Sequence, residues 1–213
     1  MKRLLAIFSL ILLICVFTIY MTSPIYRSYQ RMISDSFKDF KDIEFVSIND
    51  HNGGYAVYFD LNNDSISDTA LDEAVRSFNI IINVLDKNPD HPMNGRDIYI
   101  IVMQKNHRSS SWINIEYKSN KVNIDINADS KKLSYDSIND IAFDIDSLKI
   151  QNASSFEIES VIGIKIKTKL ELIDCMYSNK DYALNDNDIS AIKNNNPDIK
   201  ILVDDPVKHY REY

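Results

Sequence analysis

An uncharged, apolar run near the start of the chain, from Leu4 to Met21, limits most strongly what this sequence can fold into. As an α-helix its eighteen residues would rise about 27 Å, against about 30 Å for the hydrocarbon core of a membrane. A cleaved signal peptide has a shorter apolar stretch that ends in small residues, whereas this run continues into Thr22-Ser23-Pro24. We therefore predict a membrane anchor, or an uncleaved signal, over residues 1–21, with membrane contact through residues 4–21.

The charges that flank this run set the expected orientation. Lys2 and Arg3 precede it, and Arg27 and Arg31 follow it, so the positive-inside count is close to balanced. Because the tail before the run is so short, little would have to be translocated if it stayed inside. We expect a single-pass protein of the cell membrane, with its N-terminus inside and its C-terminal domain outside the cytoplasm.

The segment after the run is predicted to be a helix. Ser23 followed by Pro24 is a typical helix start. Apolar residues then recur at three- and four-residue steps on one face, namely Ile25, Tyr29, Met32, Ile33, Phe37 and Phe40. We predict a juxtamembrane stalk helix over residues 22–41 and an extracytoplasmic α+β domain over residues 42–213.

Two β-hairpins and one long helix are predicted in the first part of that domain. Apolar and polar residues alternate in IEFVSIN and YAVYFDL, on either side of the turn Asp50–Gly54. They also alternate in WINIEYK and KVNIDIN, on either side of Ser119-Asn120. Between the hairpins, Asp68 or Thr69 would cap a helix. Its apolar stripe consists of Leu71, Ala74, Val75, Phe78, Ile81, Ile82 and Leu85. The next segment, DIYIIVMQ, is apolar enough for a central strand.

The last part is predicted to end in a strand-helix-strand unit. From Phe156 to Leu172, apolar residues fall on even positions, which predicts a strand that is bent or broken at Gly163. The unit consists of the strand LELIDC, a helix capped by Asp186 or Asp188, and the strand IKILVDD. The two strands should be parallel. Residues 128–154 have the weakest pattern, from which we predict a short helix and a strand. The predicted fold class is α+β: an N-terminal transmembrane helix, then a mainly antiparallel sheet with one long packed helix and this C-terminal unit.

Composition excludes several functional classes. The sequence has four glycines and none of the glycine-rich patterns that cradle phosphates or form a nucleophile elbow. Its formal net charge is -7 at pH 7, and the part outside the membrane is more acidic still, which disfavours nucleic acid as a partner. The abundance of Ile and Asn, with 32 and 21 residues, is typical of a bacterial genome rich in A and T.

One segment before the long helix carries the oxygen spacing of an EF-hand-like calcium loop. Its side chains at positions one, three, five and nine are Asp60, Asn62, Asp64 and Asp68. Ser65 stands where such a loop has glycine, and Leu71 stands where it has a bidentate carboxylate. We therefore favour a polar strand-to-helix turn, with calcium binding as the alternative. No catalytic residue and no cofactor is predicted.

The histidines give no support to a metal site or to a particular acid-base pair. No zinc-binding spacing occurs among His51, His91, His107 and His209. We expect a non-catalytic, membrane-anchored binding or assembly module, whose partner is a protein or an envelope polymer. Tethering favours this interpretation because it raises the effective concentration of a partner without an active site. The alternatives are a hydrolytic enzyme of the cell envelope, with a site assembled only in the fold, and a calcium-dependent surface module.

Overall fold

The computed structural model describes residues 11–13, 15, 30–105, 111–127, 133–151, 155–176, 184–205 and 209–212. The chain divides into two compact units, Met1–Lys38 and Asp39–Tyr213. In the first unit, residues 30–34 are helical and a 3₁₀ helix spans Asp35–Phe37. Most of the predicted anchor lies outside the described residues, as do residues 22–29 of the predicted stalk helix. The described part of that stalk, residues 30–41, is helical only as far as Phe37. Among the residues that are described, no helix is both long enough and apolar enough to cross a membrane.

The described part of the second unit is a mixed α+β domain built on one nine-stranded sheet. Its strands are β1 (Ile43–His51), β2 (Gly54–Leu61), β3 (Ile98–Gln104), β4 (Trp112–Lys118), β5 (Lys121–Asn127), β6 (Asp144–Gln151), β7 (Leu170–Met176), β8 (Lys200–Asp205) and β9 (His209–Glu212). Its helices are α1 (Asp68–Lys87), α2 (Ser155–Ile162), α3 (Asp186–Asn195) and a 3₁₀ helix at Asp136–Asp140. The prediction of an α+β fold is confirmed.

The strands lie in the sheet in the order in which the chain makes them, from β1 to β9. The pairs β1–β2, β3–β4, β4–β5 and β8–β9 are antiparallel. The pairs β2–β3, β5–β6, β6–β7 and β7–β8 are parallel. The prediction of a mainly antiparallel sheet is therefore wrong, because half of these pairings are parallel. Hairpin turns can be recognised locally, whereas a parallel pair forms only when a connection returns the chain to the same end of the sheet.

The connections between parallel strands place the helices on one face of the sheet. Parallel crossovers are right-handed in about 98% of cases, and here all of them advance in the same direction along the sheet. Helix α1 packs on β3, β4 and the 3₁₀ helix that follows β5, and α2 packs on α3. The Phe78 ring of α1 meets the Tyr117 ring of β4 edge-on, with centroids 5.9 Å apart.

Both predicted hairpins are confirmed, and the backbone of each turn explains how two residues can connect the strands. Asn52 and Gly53 have φ of 46° and 85°, and Ser119 and Asn120 have φ of 52° and 64°. Two consecutive residues with positive φ give the type I′ turn, whose twist matches that of paired strands.

Helix α1 is confirmed, but its cap differs from the prediction. Except for Ile82, the residues of its predicted apolar stripe are buried. Ser67, not Asp68 or Thr69, is the N-cap, and its side chain accepts a hydrogen bond from the Ala70 N–H at 3.0 Å. A cap residue must keep extended backbone, as Ser67 does at φ -108° and ψ 166°, whereas Asp68 already lies within the helix.

The C-terminal strand-helix-strand unit is confirmed, with β7 and β8 parallel. Here too the cap lies earlier than predicted. Asn185 is the N-cap of α3, and it forms a capping box with Asp188, whose carboxylate accepts the Asn185 N–H at 2.9 Å. Asp186 is instead the first helical residue.

The predicted strand over residues 156–172 is wrong in its first half. Residues Ser155–Ile162 form α2, and the strand begins only at Leu170. Val161 and Ile164 are buried, and they fit a helical spacing as well as the even positions fit a strand. The parallel pairing of β6 with β7 decides between the two, because the chain must run back along the sheet before β7 can begin.

A buried carboxylate connects α1 to the start of β1. Glu73 is 2% exposed and accepts backbone N–H groups from Lys41 at 2.6 Å, Asp42 at 2.9 Å and Ile43 at 3.0 Å. Asn62 adds to this junction, since its Nδ2 donates to the Lys41 carbonyl at 2.8 Å. The carboxylate thus satisfies three amide groups at the point where the first strand enters the sheet.

Replacing Glu73 with Gln should therefore lower the free energy of unfolding by about 2 to 3 kcal/mol, because an amide has one acceptor oxygen where the carboxylate has two. The matched control is Asp72→Asn, which removes an exposed ion pair with Arg76 at 3.9 Å and should cost less than about 1 kcal/mol. Urea unfolding of both variants measures the difference. Equal losses in the two variants would contradict this role for Glu73.

Gly54 is needed because the backbone of the β3 entry lies against it. A Cβ at Gly54 would overlap the Asp97 carbonyl, which accepts the N–H of Tyr55 at 2.9 Å. A Cβ at Gly163 would instead lie 3.5 Å from its nearest neighbour, an ordinary contact.

We expect Gly54→Ala to destabilise the domain by about 1 to 3 kcal/mol through overpacking. Gly163→Ala should change the stability by no more than about 0.5 kcal/mol. Thermal and urea unfolding of the two variants, compared side by side, test this expectation. A tolerated Gly54→Ala would show that β2 can move away from Asp97.

Candidate functional site

Alternation along the strands gives the sheet two different faces. One face carries buried aliphatic residues under the helices, such as Ile113 and Ile115 on β4 and Ile124 and Ile126 on β5. The side chains between them point to the opposite side. We call that side the helix-free face, since α1 packs on the other one and the crossovers that contain α2 and α3 lie there too. It is the candidate functional surface.

The part of the helix-free face on β2 to β4 is largely apolar, and we call it the aromatic half. It is formed by Tyr58, Ile101, Met103 and Trp112, each half-buried. Tyr58 lies beside Ile101, and Met103 lies opposite Trp112. Large side chains on a solvent-facing sheet surface are typical of a binding site more than of a solvated face.

The part on β4 to β7 is polar, and we call it the amide half. Its side chains are Asn114, Asn123, Asp125, Asn127, Ser147, Lys149, Gln151 and Asp174. Two hydrogen bonds cross between strands here: Ser147 Oγ donates to Asn123 Oδ1 at 2.7 Å, and Gln151 Nε2 donates to the Asp125 oxygens at 2.8 and 3.0 Å. Both oxygens of the Asp125 carboxylate are thereby occupied.

Two amide oxygens in the middle of this surface have no donor. The Oδ1 atoms of Asn114 and Asn127 are buried and accept no hydrogen bond, and Asn127 as a whole is 1% exposed. Asn127 lies opposite Trp112, and Asn114 lies opposite Asp125. These four residues, Trp112, Asn114, Asp125 and Asn127, form the central group. A buried acceptor without a partner costs free energy, so its presence requires an explanation.

A second cluster borders the aromatic half. Tyr99 is 7% exposed, its ring lies 4.8 Å from that of His51, and Glu116 lies opposite it on β4. Burial raises the pKa of Tyr99, and the nearby carboxylates of Glu116 and Asp97 raise it further. The phenol therefore stays protonated near neutral pH and is a hydrogen-bond donor there.

An ion-pair network lies where β5, β6 and β7 begin. Lys121 Nζ lies 2.6 Å from Asp146 and 3.2 Å from Glu171, and Lys169 Nζ lies 3.0 Å from Glu171. The hydrogen bond from Lys169, followed by that from Lys121, lowers the pKa of Glu171 to about 2. All four groups are exposed enough for solvent to screen them, so the network adds little to stability.

The Glu171 carboxyl should titrate near pH 2 in low salt. Its folded-state pKa is below its ordinary value of 4.5, so its contribution favours folding above that pH and is lost as the pH falls towards about 2. Carboxyl-carbon NMR of the glutamate-labelled chain measures the pKa. High salt should raise it, because exposed charges are screened. A titration near 4.5 in low salt would show that the lysines do not hold the carboxylate in solution.

Three of the four residues of the predicted calcium loop bond to separate partners. Asp60 is half-buried on β2, and the Asn62 side chain bonds to Lys41. Asp64 accepts from Gln104 Nε2 at 3.0 Å, and Asp68 accepts from the Ser134 N–H at 2.7 Å. Within the described ranges, no three acidic, His or Cys side chains are grouped as metal ligands. Calcium binding stays a prediction from the sequence.

The two histidines whose side chains are described, His51 and His91, have different surroundings. His51 lies against Tyr99, while His91 is buried in the loop after α1, where its Nδ1 accepts the Met93 N–H at 3.2 Å. Burial lowers the pKa of His91, which favours the neutral ring that this acceptor role requires. His107 lies outside the described residues, and only the backbone of His209 is described.

Two cavities lie away from the helix-free face. One of about 370 Å³ is lined by Asp68, Tyr135 and Lys165, among others. The other, of about 470 Å³, lies near the end of α1 and includes Asp86 and Tyr117. Burial, together with Asp86, raises the pKa of Tyr117, whose hydroxyl donates to Asn120 at 2.8 Å. Each cavity is lined by both polar and apolar residues.

Sequence reasoning did not identify the central group. The polar positions of WINIEYK and KVNIDIN were visible as the solvent side of two strands. The missing information was the register that brings Trp112 opposite Asn127. No protein-family model, no curated protein and no solved structure matches this chain.

Proposed function

We propose that this chain is a non-catalytic binding or assembly module, anchored in the membrane by residues 4–21, that presents its α+β domain outside the cytoplasm. The observation that carries the binding role is the central group, where an aromatic side chain lies beside two buried amide oxygens that lack donors. A ligand that supplies those donors would relieve the cost of leaving them unpaired.

The distribution of the titratable groups supports a binding role over a catalytic one. Of the described residues with a shifted pKa, Tyr99 lies beside His51 at the border of the aromatic half, His91 accepts a hydrogen bond within a loop, and Tyr117 lines a cavity near α1. Lys121 and Glu171 belong to a surface ion-pair network. An enzyme needs such groups within hydrogen-bond reach of one reacting atom. The hydrolytic and the calcium-dependent alternatives stay predictions from the sequence.

The anchored topology can be tested by cysteine labelling in intact bacterial cells. Lys87 is exposed at the end of α1, and the native Cys175 is fully buried. A Lys87→Cys chain should react with a membrane-impermeant maleimide without permeabilisation, because the domain lies outside. The unsubstituted chain gives the background from Cys15 and Cys175.

Removal of residues 2–21 should move the protein from the membrane fraction to the soluble fraction. Labelling at position 87 only after permeabilisation would contradict the proposed orientation. Recovery of the shortened chain in the membrane fraction would contradict the proposed anchor.

A further inference from the structure

We infer that the central group binds a neutral glycan, with a sugar ring stacked on Trp112 and its donors directed to the amide oxygens of Asn114 and Asn127. This inference rests on the proposed function, because it names the ligand of the proposed binding face. A sugar combines an apolar C–H face with a rim of hydroxyl donors. The central group presents the complement of both: an indole and two acceptors without donors.

The charge of the site favours a neutral ligand. The carboxylate of Asp125 already receives two hydrogen bonds from Gln151, so both of its oxygens have partners within the protein. Within the central group, the acceptors without a donor are the uncharged amide oxygens of Asn114 and Asn127. Asp125 and Asp174 lie on either side of Lys149 in one row across the strands. This row has no excess of positive charge that would attract an anionic polymer or lipid.

The dimensions of the central group suit a pyranose ring. Trp112 and Asn114 are two residues apart on β4, which corresponds to about 7 Å, and β5 lies about 5 Å away. Tyr58 is two strands from Asn114, or about 10 Å, with Ile101 between them in the same row. A linear glycan that crosses the strands would therefore reach from the central group to Tyr58.

The burial of the two oxygens requires that a side chain above them moves when the ligand binds. Trp112 is the neighbour of Asn127 across the strands, and its ring is half-buried. We assign this movement to the indole, whose rotation would open the Asn127 oxygen and present the ring to the sugar. Trp112 is the only tryptophan in the sequence, so its fluorescence reports this site alone.

The test is a fluorescence titration of the full chain in lipid nanodiscs, which avoids glycoside detergents. The probes are chitobiose, chitotetraose and cellotetraose, with polyglycerol phosphate as the anionic comparison. We expect a saturable change in Trp112 emission with at least one neutral tetrasaccharide and none with the anionic polymer. The tetrasaccharide should bind more tightly than the disaccharide, and Tyr58→Ala should abolish that advantage.

Asn114→Ala and Asn127→Ala should each weaken binding about tenfold, the effect of one lost hydrogen bond. Asn83→Ala, an exposed position on α1, is the matched control and should leave binding unchanged. Because the Asn127 oxygen has no partner, Asn127→Ala should retain or raise the unfolding temperature. A loss of binding together with retained stability separates a ligand contact from a folding defect. Trp112→Ala is assayed by calorimetry and should abolish binding.

The absence of any saturable change with the three neutral probes would overturn the inference, as would equal affinities for the wild type and both asparagine variants. A second contrary outcome is that a photoreactive residue at position 112 cross-links to a protein while no glycan binds. That result would overturn the glycan inference, because the partner would be a protein, but it would agree with the proposed function. Glycan binding by a chain that is labelled only from inside would support the inference and refute the proposed location.

Discussion

The agreement between strand order and chain order constrains the rest of this structure. Each new strand is added at the same edge of the sheet. Right-handed crossovers that all advance in one direction lie on the same face of the sheet. Helices α1, α2 and α3 follow from that rule together, and the aliphatic residues beneath them become the core. The same rule leaves the opposite face of the described sheet without a helix. A surface available for binding is thus a consequence of the topology.

A sheet covered on one face needs a strong attachment to its helical layer. Helix α1 supplies much of it, since Leu71, Ala74, Phe78 and Ile81 are fully buried. The aromatic rings of Phe78, Tyr117 and Phe143 continue this contact. At the other end of α1, the Glu73 carboxylate holds the backbone of residues 41–43. Apolar burial fixes how the helix lies on the sheet, and the carboxylate fixes where the first strand begins.

The helix-free face combines features that folding alone does not favour. Ser147 with Asn123 and Gln151 with Asp125 satisfy each other across strands, as expected for half-buried polar groups. Asn114 and Asn127 in the same surface have acceptors that are left over. An aliphatic residue at either position would avoid that cost.

The elements that the sequence determined by itself are those with local signals. The two hairpins follow from alternation around turns with positive φ, and α1 follows from a helical stripe of apolar residues. The caps were displaced by one or more residues, because Ser67 and Asn185 compete with adjacent residues that can also accept backbone hydrogen bonds. In residues 155–162 the strand and helix periods both fitted, and the pattern could not separate them.

Tertiary structure alone decided the remaining features, because they depend on residues far apart in the chain. The parallel strand pairs form only when each connection packs on the face of the sheet that carries the helices. In the connection from β6 to β7, the packed segment is the helix α2. The central group depends on the register that brings Trp112 to Asn127 and Gln151 to Asp125. A shift of one residue would turn these side chains into the core, so their common surface is a property of the paired strands and not of either strand's sequence.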